Sequence, residues 1–344
     1  MSGTSHDGLD IAHCSFTLKD GKWNFMINEA ETVPYSPEWR DLLMRLPGES
    51  QAVINKAHAD WGMLTAGVVN DFIKKNKLSA DLIASHGHTI FHDPAQKRTL
   101  QIGDGAMIAR ITNIKVVNDF RSDDVAMGGQ GAPLVPVGDR YLFSDYDYCL
   151  NIGGISNISY EEHSKRVAFD ICPVNIVLND LAWRKGLPFD NRGMLAARGK
   201  HIPALFNDLE SLSYYQMKGP RSLGKEWVDQ NIFPLIRQYE SHTVEDLLAT
   251  YTEHAAVRMA QAAPLRQGQQ LLVTGGGAYN DELIKRIGHH CKASVCIPEK
   301  KIIDFKEAMI FAFLGVLRIR NEVNVFGSVT GSGKDHCSGL IHRP

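Results

Sequence analysis

Two stretches of this chain run through the same order of elements: a hairpin of alternating strands first, then helices and strands in turn. In the first, residues 11–18 place Ala12, Cys14, Phe16 and Leu18 on one face. Asp20-Gly21 turns the chain, and Trp23, Phe25 and Ile27 alternate on the return arm. Ser36-Pro37 reads as an N-cap and first helical residue, with Trp39, Leu42, Leu43 and Leu46 at helical spacing behind it. A second helix covers much of residues 51–76, and short apolar strands follow at 82–85, 99–102 and 114–117, with a helix near 105–110. After a Gly/Pro-rich link at 128–136 the second stretch begins with a strand at 148–152, a second hairpin arm and a strand at 167–169. Helices are predicted at 174–184 and 244–263, a buried strand at 270–273 and a last long helix at 305–319. The doubling predicts an α/β chain of two related lobes with a cleft between them, lobe I being 1–140 plus 305–344 and lobe II 141–304.

Three glycine-containing loops, at residues 2–8, 153–157 and 274–277, punctuate this pattern, and the second and third follow apolar strands directly. Glycine permits close ligand approach and tight turns there. The opening MSGTSHDGLD mixes Gly3, Thr4, Ser5 and Gly8 with the carboxylates Asp7 and Asp10. Such a turn suits a polyphosphate: backbone N–H groups and hydroxyls bind its oxygens, and a carboxylate holds hydrated magnesium. Alone, these ten residues would read as a terminal tail; with the other two loops they read as one of a set. Residues 327–334, GSVTGSGK, imitate a Walker loop but have the wrong spacing and Asp335 where Ser or Thr is needed. Asp170 falls just past the strand predicted at 167–169, where a rigid position suits a general base, although it could equally cap the helix that follows.

Composition narrows the partners. Lys plus Arg number 37 against 39 Asp plus Glu, a net charge of −2, which gives no basic excess for nucleic acid or an anionic membrane. The six cysteines are scattered without a C-x-x-C pair, as in a cytoplasmic protein with reduced thiols. His86, His88 and His92 have a spacing that could ligate metal, but no Cys or carboxylate completes the set, so they are expected as loop histidines of a substrate pocket.

MSGTSHDGLD, ASHGHTIFH (84–92), TLQIGDG (99–105), VVNDFRSDDVAMGGQGAPLVP (116–136), LNIGGISNIS (150–159), VTGGGAYN (273–280) and EAMIFAFLG (307–315) closely resemble the anhydro-N-acetylmuramic acid kinase family, in the family's order and over nearly the whole length. The resemblance implies two ribonuclease-H-like lobes of the actin-like ATPase fold with ATP and Mg²⁺ in the cleft. It implies that Gly3, Thr4, Ser5, Asp7, Gly8 and Asp10 form the first phosphate loop, with Asp7 on the metal, directly or through water. Gly153, Gly154, Ser156 and Asn157 would form the second, Gly275, Gly276 and Gly277 would lie under the adenosine, and Glu307 would sit near the nucleotide. Asp170 would be the base that activates water to open 1,6-anhydro-N-acetylmuramic acid, O6 then taking the γ-phosphoryl group. His88, Thr89, Asp119, Arg121 and Asn175 would face the sugar, Arg121 meeting its lactyl carboxylate. A cytoplasmic enzyme of cell-wall recycling, acting on a small anhydro-sugar and in the family's dimeric habit a homodimer, is the reading.

Two departures qualify it. Around the base the family reads Asp-Thr-Gly-Pro-Gly-Asn, whereas this chain has Asp170-Ile171-Cys172-Pro173-Val174-Asn175, which predicts a reshaped sugar pocket. That motivates two alternatives: the same chemistry on another anhydro- or amino sugar, and a degenerate kinase that binds ATP without turnover. The family also carries a short apolar strand ahead of MSGTS. Without it the first lobe's sheet would expose two edges, so either a strand upstream of Met1, the favoured expectation, or an unusual repair of this lobe is required.

Overall fold

The computed structural model describes residues 1–3, 8–217 and 221–344. Thr4, Ser5 and Asp7 of the predicted first phosphate loop lie outside the described residues. The chain divides into two compact units: unit 1 is Met1–Leu142 with Phe305–Pro344, and unit 2 is Phe143–Asp304.

In unit 1, β1 (Gly8–Lys19) and β2 (Lys22–Pro34) form one antiparallel hairpin. Asp20 and Gly21 turn it at φ 52° and 78°, the positive values that a two-residue turn matched to strand twist requires. Trp23 and Phe16 pack on Phe313 at ring-centroid distances of 5.1 and 5.3 Å, anchoring the hairpin to the last long helix. The Ser36 side chain accepts the Trp39 N–H and starts the Pro37–Arg45 helix; the Gln51–Asn76 helix ends at Lys77 in the left-handed conformation. β3 (Ile83–Ala84) pairs in parallel with β6 (Val116–Asn118), whose other edge takes the closing strand Leu340–His342. Between them β4 (His88–Asp93) and β5 (Arg98–Ile102) make a separate hairpin. β4 was not foreseen: only His88 and Ile90 turn inward along it, too few apolar positions to betray its period. Unit 1 therefore has three small sheets among its described residues, and β1 and β3 share no ladder.

Among its described residues unit 2 has a single five-stranded sheet of β7 (Tyr148–Ile152), β8 (Ile155–Glu162), β9 (Lys165–Pro173), β10 (Gln270–Thr274) and β11 (Ser294–Cys296), in the order β11-β10-β7-β8-β9. β7, β8 and β9 form an antiparallel meander, while β10 runs parallel to β7 and β11 parallel to β10. This is the strand order of a ribonuclease-H-like sheet. Leu150, Ile152, Leu271 and Val273 at its centre are fully buried, and the Asn175–Trp183 and Val244–Gln261 helices bury Val177, Leu181, Leu248, Tyr251 and Ala255 in the same core. A buried Leu or Ile contributes about 2 kcal/mol relative to exposure, so this central run largely decides the register.

The last long helix, Lys300–Ile319, starts five residues earlier than periodicity alone indicated. In unit 1 its Lys306 ammonium lies 2.6 Å from the Asp139 carboxylate of the Val135–Leu142 helix, both side chains almost wholly buried. Among the described residues no helix is long and apolar enough to cross a membrane.

Candidate active site

In unit 2 the sequence-predicted residues gather at the end of β7. Asp170 lies inside β9 rather than past its end, because β8 goes on pairing through Ser156↔Cys172 and Ile155↔Pro173. A register shift between Ser156 and Asn157 sets Asn157 opposite Asp170. The helix-capping alternative fails: the N-cap position is Val174, without a side-chain hydrogen bond. The Asp170 carboxylate accepts instead from the Leu223 N–H at 2.9 Å and the Ser222 hydroxyl at 3.1 Å, both on Oδ2. Its carbonyl accepts from the Tyr214 hydroxyl at 2.7 Å and Arg221 Nε at 3.3 Å, and its N–H donates to the Arg221 carbonyl at 3.0 Å. Burial raises its pKa above the ordinary aspartate value, against the two donors to the ionised form. A half-buried carboxylate with a raised pKa, fixed on both backbone and side chain, is equipped as a general base.

The glycine loops meet beside it. Gly153-Gly154 turns β7 into β8, and the carbonyls of Gly153 and Gly154 accept the N–H groups of Asn175 and of Val174 and Ile176, so the Asn175–Trp183 helix starts on this turn. Gly275 follows β10 at φ 82°, where a Cβ would sit 2.6 Å from Asn151 Oδ1 and 2.8 Å from the Ile152 carbonyl. At Gly277 a Cβ would lie 2.2 Å from Ile152 Cγ2. Both glycines are therefore required by close approach to β7, and Gly276 between them is exposed. Asn175 reaches back to the Ile152 carbonyl at 3.5 Å. Ser156 differs from expectation: its buried hydroxyl donates to the Cys172 carbonyl at 3.0 Å and stands 3.4 Å from the Cys172 sulfur, so it faces the core.

The base-motif departures also face inward. Ile171, Cys172 and Val174 are all buried in the unit 2 core. They replace a hydroxyl and two glycines without adding side chains to the accessible wall, which removes the reason for expecting a reshaped pocket. Burial pushes the Cys172 thiol up to about 12, so it is a packed thiol and no nucleophile.

In unit 1, Asp10 accepts the Thr32 hydroxyl at 2.6 Å, and Gly8 lies where a Cβ would strike Val33 at 2.7 Å. Arg121 spends three of its five donors locally: Nε and Nη2 on His86 Nε2 at 3.1 and 2.8 Å, and Nη1 on the Gly131 carbonyl at 2.6 Å. His86 Nδ1 stands 3.0 Å from the Gly87 carbonyl, which can only accept, so its proton is on Nδ1 and Nε2 is free to accept from Arg121. Burial and the Arg121 charge hold its pKa well below the usual histidine value. Burial lowers the Arg121 pKa to about 10, with Glu307 opposing. Protein atoms crowding the Glu307 carboxyl raise its pKa, Arg121 and the Met1 ammonium pull against that, and Asp10 adds to it. Asp10, Arg121 and Glu307 thus share one electrostatic neighbourhood. His88, by contrast, is engaged in structure: Nδ1 pairs with the Ser2 hydroxyl at 2.6 Å, which also accepts from Tyr35. Asp119 Oδ1 accepts from the Ser122 N–H and hydroxyl, and Thr89 accepts from Gln101 at 3.3 Å. Sequence reading missed Tyr214, Arg221, Ser222 and Leu223, which lie more than forty residues from Asp170 with no motif to mark them.

The family model for anhydro-N-acetylmuramic acid kinase matches residues 1–344. The chain belongs to that family. The anhydro-N-acetylmuramic acid kinase of Paramagnetospirillum magneticum is 36% identical, over 100% of this chain and 98% of the relative. That of Pseudomonas syringae pv. tomato is 37% identical, over 99% and 97%. Among solved structures, component A of the Acidaminococcus fermentans (R)-2-hydroxyglutaryl-CoA dehydratase overlaps 61% of this chain and 84% of its own at 14% identity. Its TM-score of 0.36 is too low to carry an argument. Membership in the anhydro-N-acetylmuramic acid kinase family agrees with the resemblance read from the seven motifs.

Proposed function

We propose that this chain is the ATP-dependent kinase that opens 1,6-anhydro-N-acetylmuramic acid with water and phosphorylates O6, working in the cytoplasm in cell-wall recycling. The observation that carries this is the Asp170 carboxylate, held on Oδ2 by Leu223 and Ser222 beside Asn157, with its pKa raised by burial. Ionised Asp170 takes a proton from water as the water oxygen bonds to the anomeric carbon. The bond from that carbon to O6 breaks, and O6 accepts the γ-phosphoryl group with release of ADP. Gly153, Gly154 and Asn157 supply close backbone approach and amide donors for phosphate, and Gly275, Gly276 and Gly277 an open floor for adenosine. The residues of unit 1 fit Mg²⁺: Asp10 and Glu307 are two carboxylates whose mutual repulsion a cation relieves. When bound, Mg²⁺ spreads the charge of the transferring phosphate.

ADP release driven by 1,6-anhydro-N-acetylmuramic acid, repeated with Asp170→Asn, tests the proposal. Sugar-dependent turnover that falls by about 10³ or more in the variant supports it. Tight ATP binding without turnover on this sugar refutes it.

A further inference from the structure

Gly275 to Asn280 join β10 to the Asp281–His290 helix in unit 2. Gly277, Ala278 and Asn280 are buried and Gly275 is half-buried, so this turn shows solvent only Gly276 and Tyr279. The two stand three residues apart in a single turn of 3₁₀ helix, Gly276–Tyr279, a geometry in which positions i and i+3 eclipse one another. The Tyr279 side chain therefore lies on the same side of the turn as the bare backbone of Gly276. Unlike its two neighbours, Gly276 is not a glycine for reasons of packing. A Cβ there would meet nothing nearer than Asn175 Nδ2 at 3.7 Å, and its φ is not positive. What a side chain at Gly276 would obstruct is the approach of a ligand.

Tyr279 is held in place before any ligand arrives. Its hydroxyl donates to Asp304 Oδ1 at 2.6 Å. The Lys300 ammonium, bound to Asp304 Oδ2 at 2.5 Å, lies 3.4 Å from the same hydroxyl and 5.1 Å from the ring centroid. Asp304 and then Tyr279 raise the Lys300 pKa, so the cation over the ring stays charged at neutral pH. The ring is nonetheless 40% exposed. An aromatic surface fixed in advance loses little freedom on binding. It lies just beyond the carboxyl end of β10, which runs parallel to β7, the side of an open α/β sheet where ligands bind.

We propose that Tyr279 is the wall on which the purine base of the bound nucleotide stacks, with Gly276 left bare so that the base can reach it. This rests on the reading of Gly275–Gly277 as the adenosine loop. Stacking acts through the face of the base and grows with its area, so the contact favours purine over pyrimidine nucleotides.

The test is calorimetric titration of the full chain with ADP, UDP and pyrophosphate in Mg²⁺ buffer without sugar, for the wild type, Tyr279→Ala and Tyr279→Phe. Tyr279→Ala should weaken ADP roughly 5- to 100-fold, weaken UDP less, and change pyrophosphate by less than about twofold. Tyr279→Phe, which keeps the ring and loses only the tether to Asp304, should stay within about threefold of the wild type for ADP. Unchanged ADP affinity in Tyr279→Ala overturns the proposal. So does equal weakening of ADP and pyrophosphate, which would mark a collapsed loop, or a wild type that binds ADP no more tightly than pyrophosphate. Because sugar is absent from these titrations, a chain that stacks the base yet turns over no anhydro-sugar upholds this inference and defeats the kinase reading alone.

Discussion

Cys172 is a residue whose chemistry the fold alters measurably. It is fully buried, its neighbours are the Ser156 hydroxyl and the apolar core, and its pKa is pushed up to about 12. At pH 8 that leaves about one molecule in 10⁴ as thiolate, against about one in four for an ordinary cysteine of pKa near 8.5, so alkylation slows about 2000-fold from ionisation alone. Burial adds a second barrier. Iodoacetamide must otherwise wait for local or global opening, where the thiol regains its ordinary pKa, and a native stability of about 5–10 kcal/mol restricts that separate route by a factor of about 10³ to 10⁷. The assay is timed labelling at pH 8 followed by peptide mass spectrometry, with half-buried Cys296 as the reacting reference and the denatured chain as the full-labelling endpoint. Cys172 should stay unmodified while Cys296 is consumed, and Cys172→Ser should retain sugar-dependent turnover. Alkylation of Cys172 within tenfold of the Cys296 rate in the folded protein, with loss of turnover, would refute both the packing and the assignment of Asp170 as sole base.

Ser222→Ala removes a donor to ionised Asp170, so its pKa rises and the acidic limb of the pH–rate profile moves to higher pH; turnover at alkaline pH is nearly unchanged, and Ser222→Thr restores the limb. An unmoved limb contradicts the role given to Ser222. Gly275→Ala drives a Cβ into Asn151 and the Ile152 carbonyl at positive φ, costing about 1–3 kcal/mol in urea unfolding and weakening ATP binding about tenfold in calorimetry. Arg121→Lys replaces a fork by a single ammonium and cannot serve both His86 Nε2 and the Gly131 carbonyl, lowering stability by about 1–3 kcal/mol in the urea midpoint.

Local signals carried much of the fold. The strand at 148–152 is readable to the residue because its apolar run ends at Gly-Gly, and the helix at 51–76 is readable in extent though not in its exact ends. Where several causes compete, sequence misleads. Asp170 looked like a strand-end residue because Cys172-Pro173 breaks the apolar pattern, yet pairing to β8 carries the strand onward. The inward facing of Ile171, Cys172 and Val174 follows from the same pairing, which no local pattern reveals. Of the surroundings of Asp170, Asn157 was within reach of motif reading. Ser222 and Leu223 were not, since a clamp closing over fifty residues of intervening chain leaves no periodic trace.

The Asp139–Lys306 ion pair has a consequence for synthesis of the chain. Its partners are 167 residues apart in sequence, and all of unit 2, residues 143–304, is translated between them. A nascent Asp139 therefore waits without Lys306 until unit 2 has left the ribosome, and a lone buried carboxylate is costly. Unit 2 is contiguous and can fold as it emerges, so the second unit in sequence is the first able to reach its native state. A nascent chain held with unit 2 outside the exit tunnel and residues 305–344 still inside should display a protected unit 2 beside a protease-sensitive first segment.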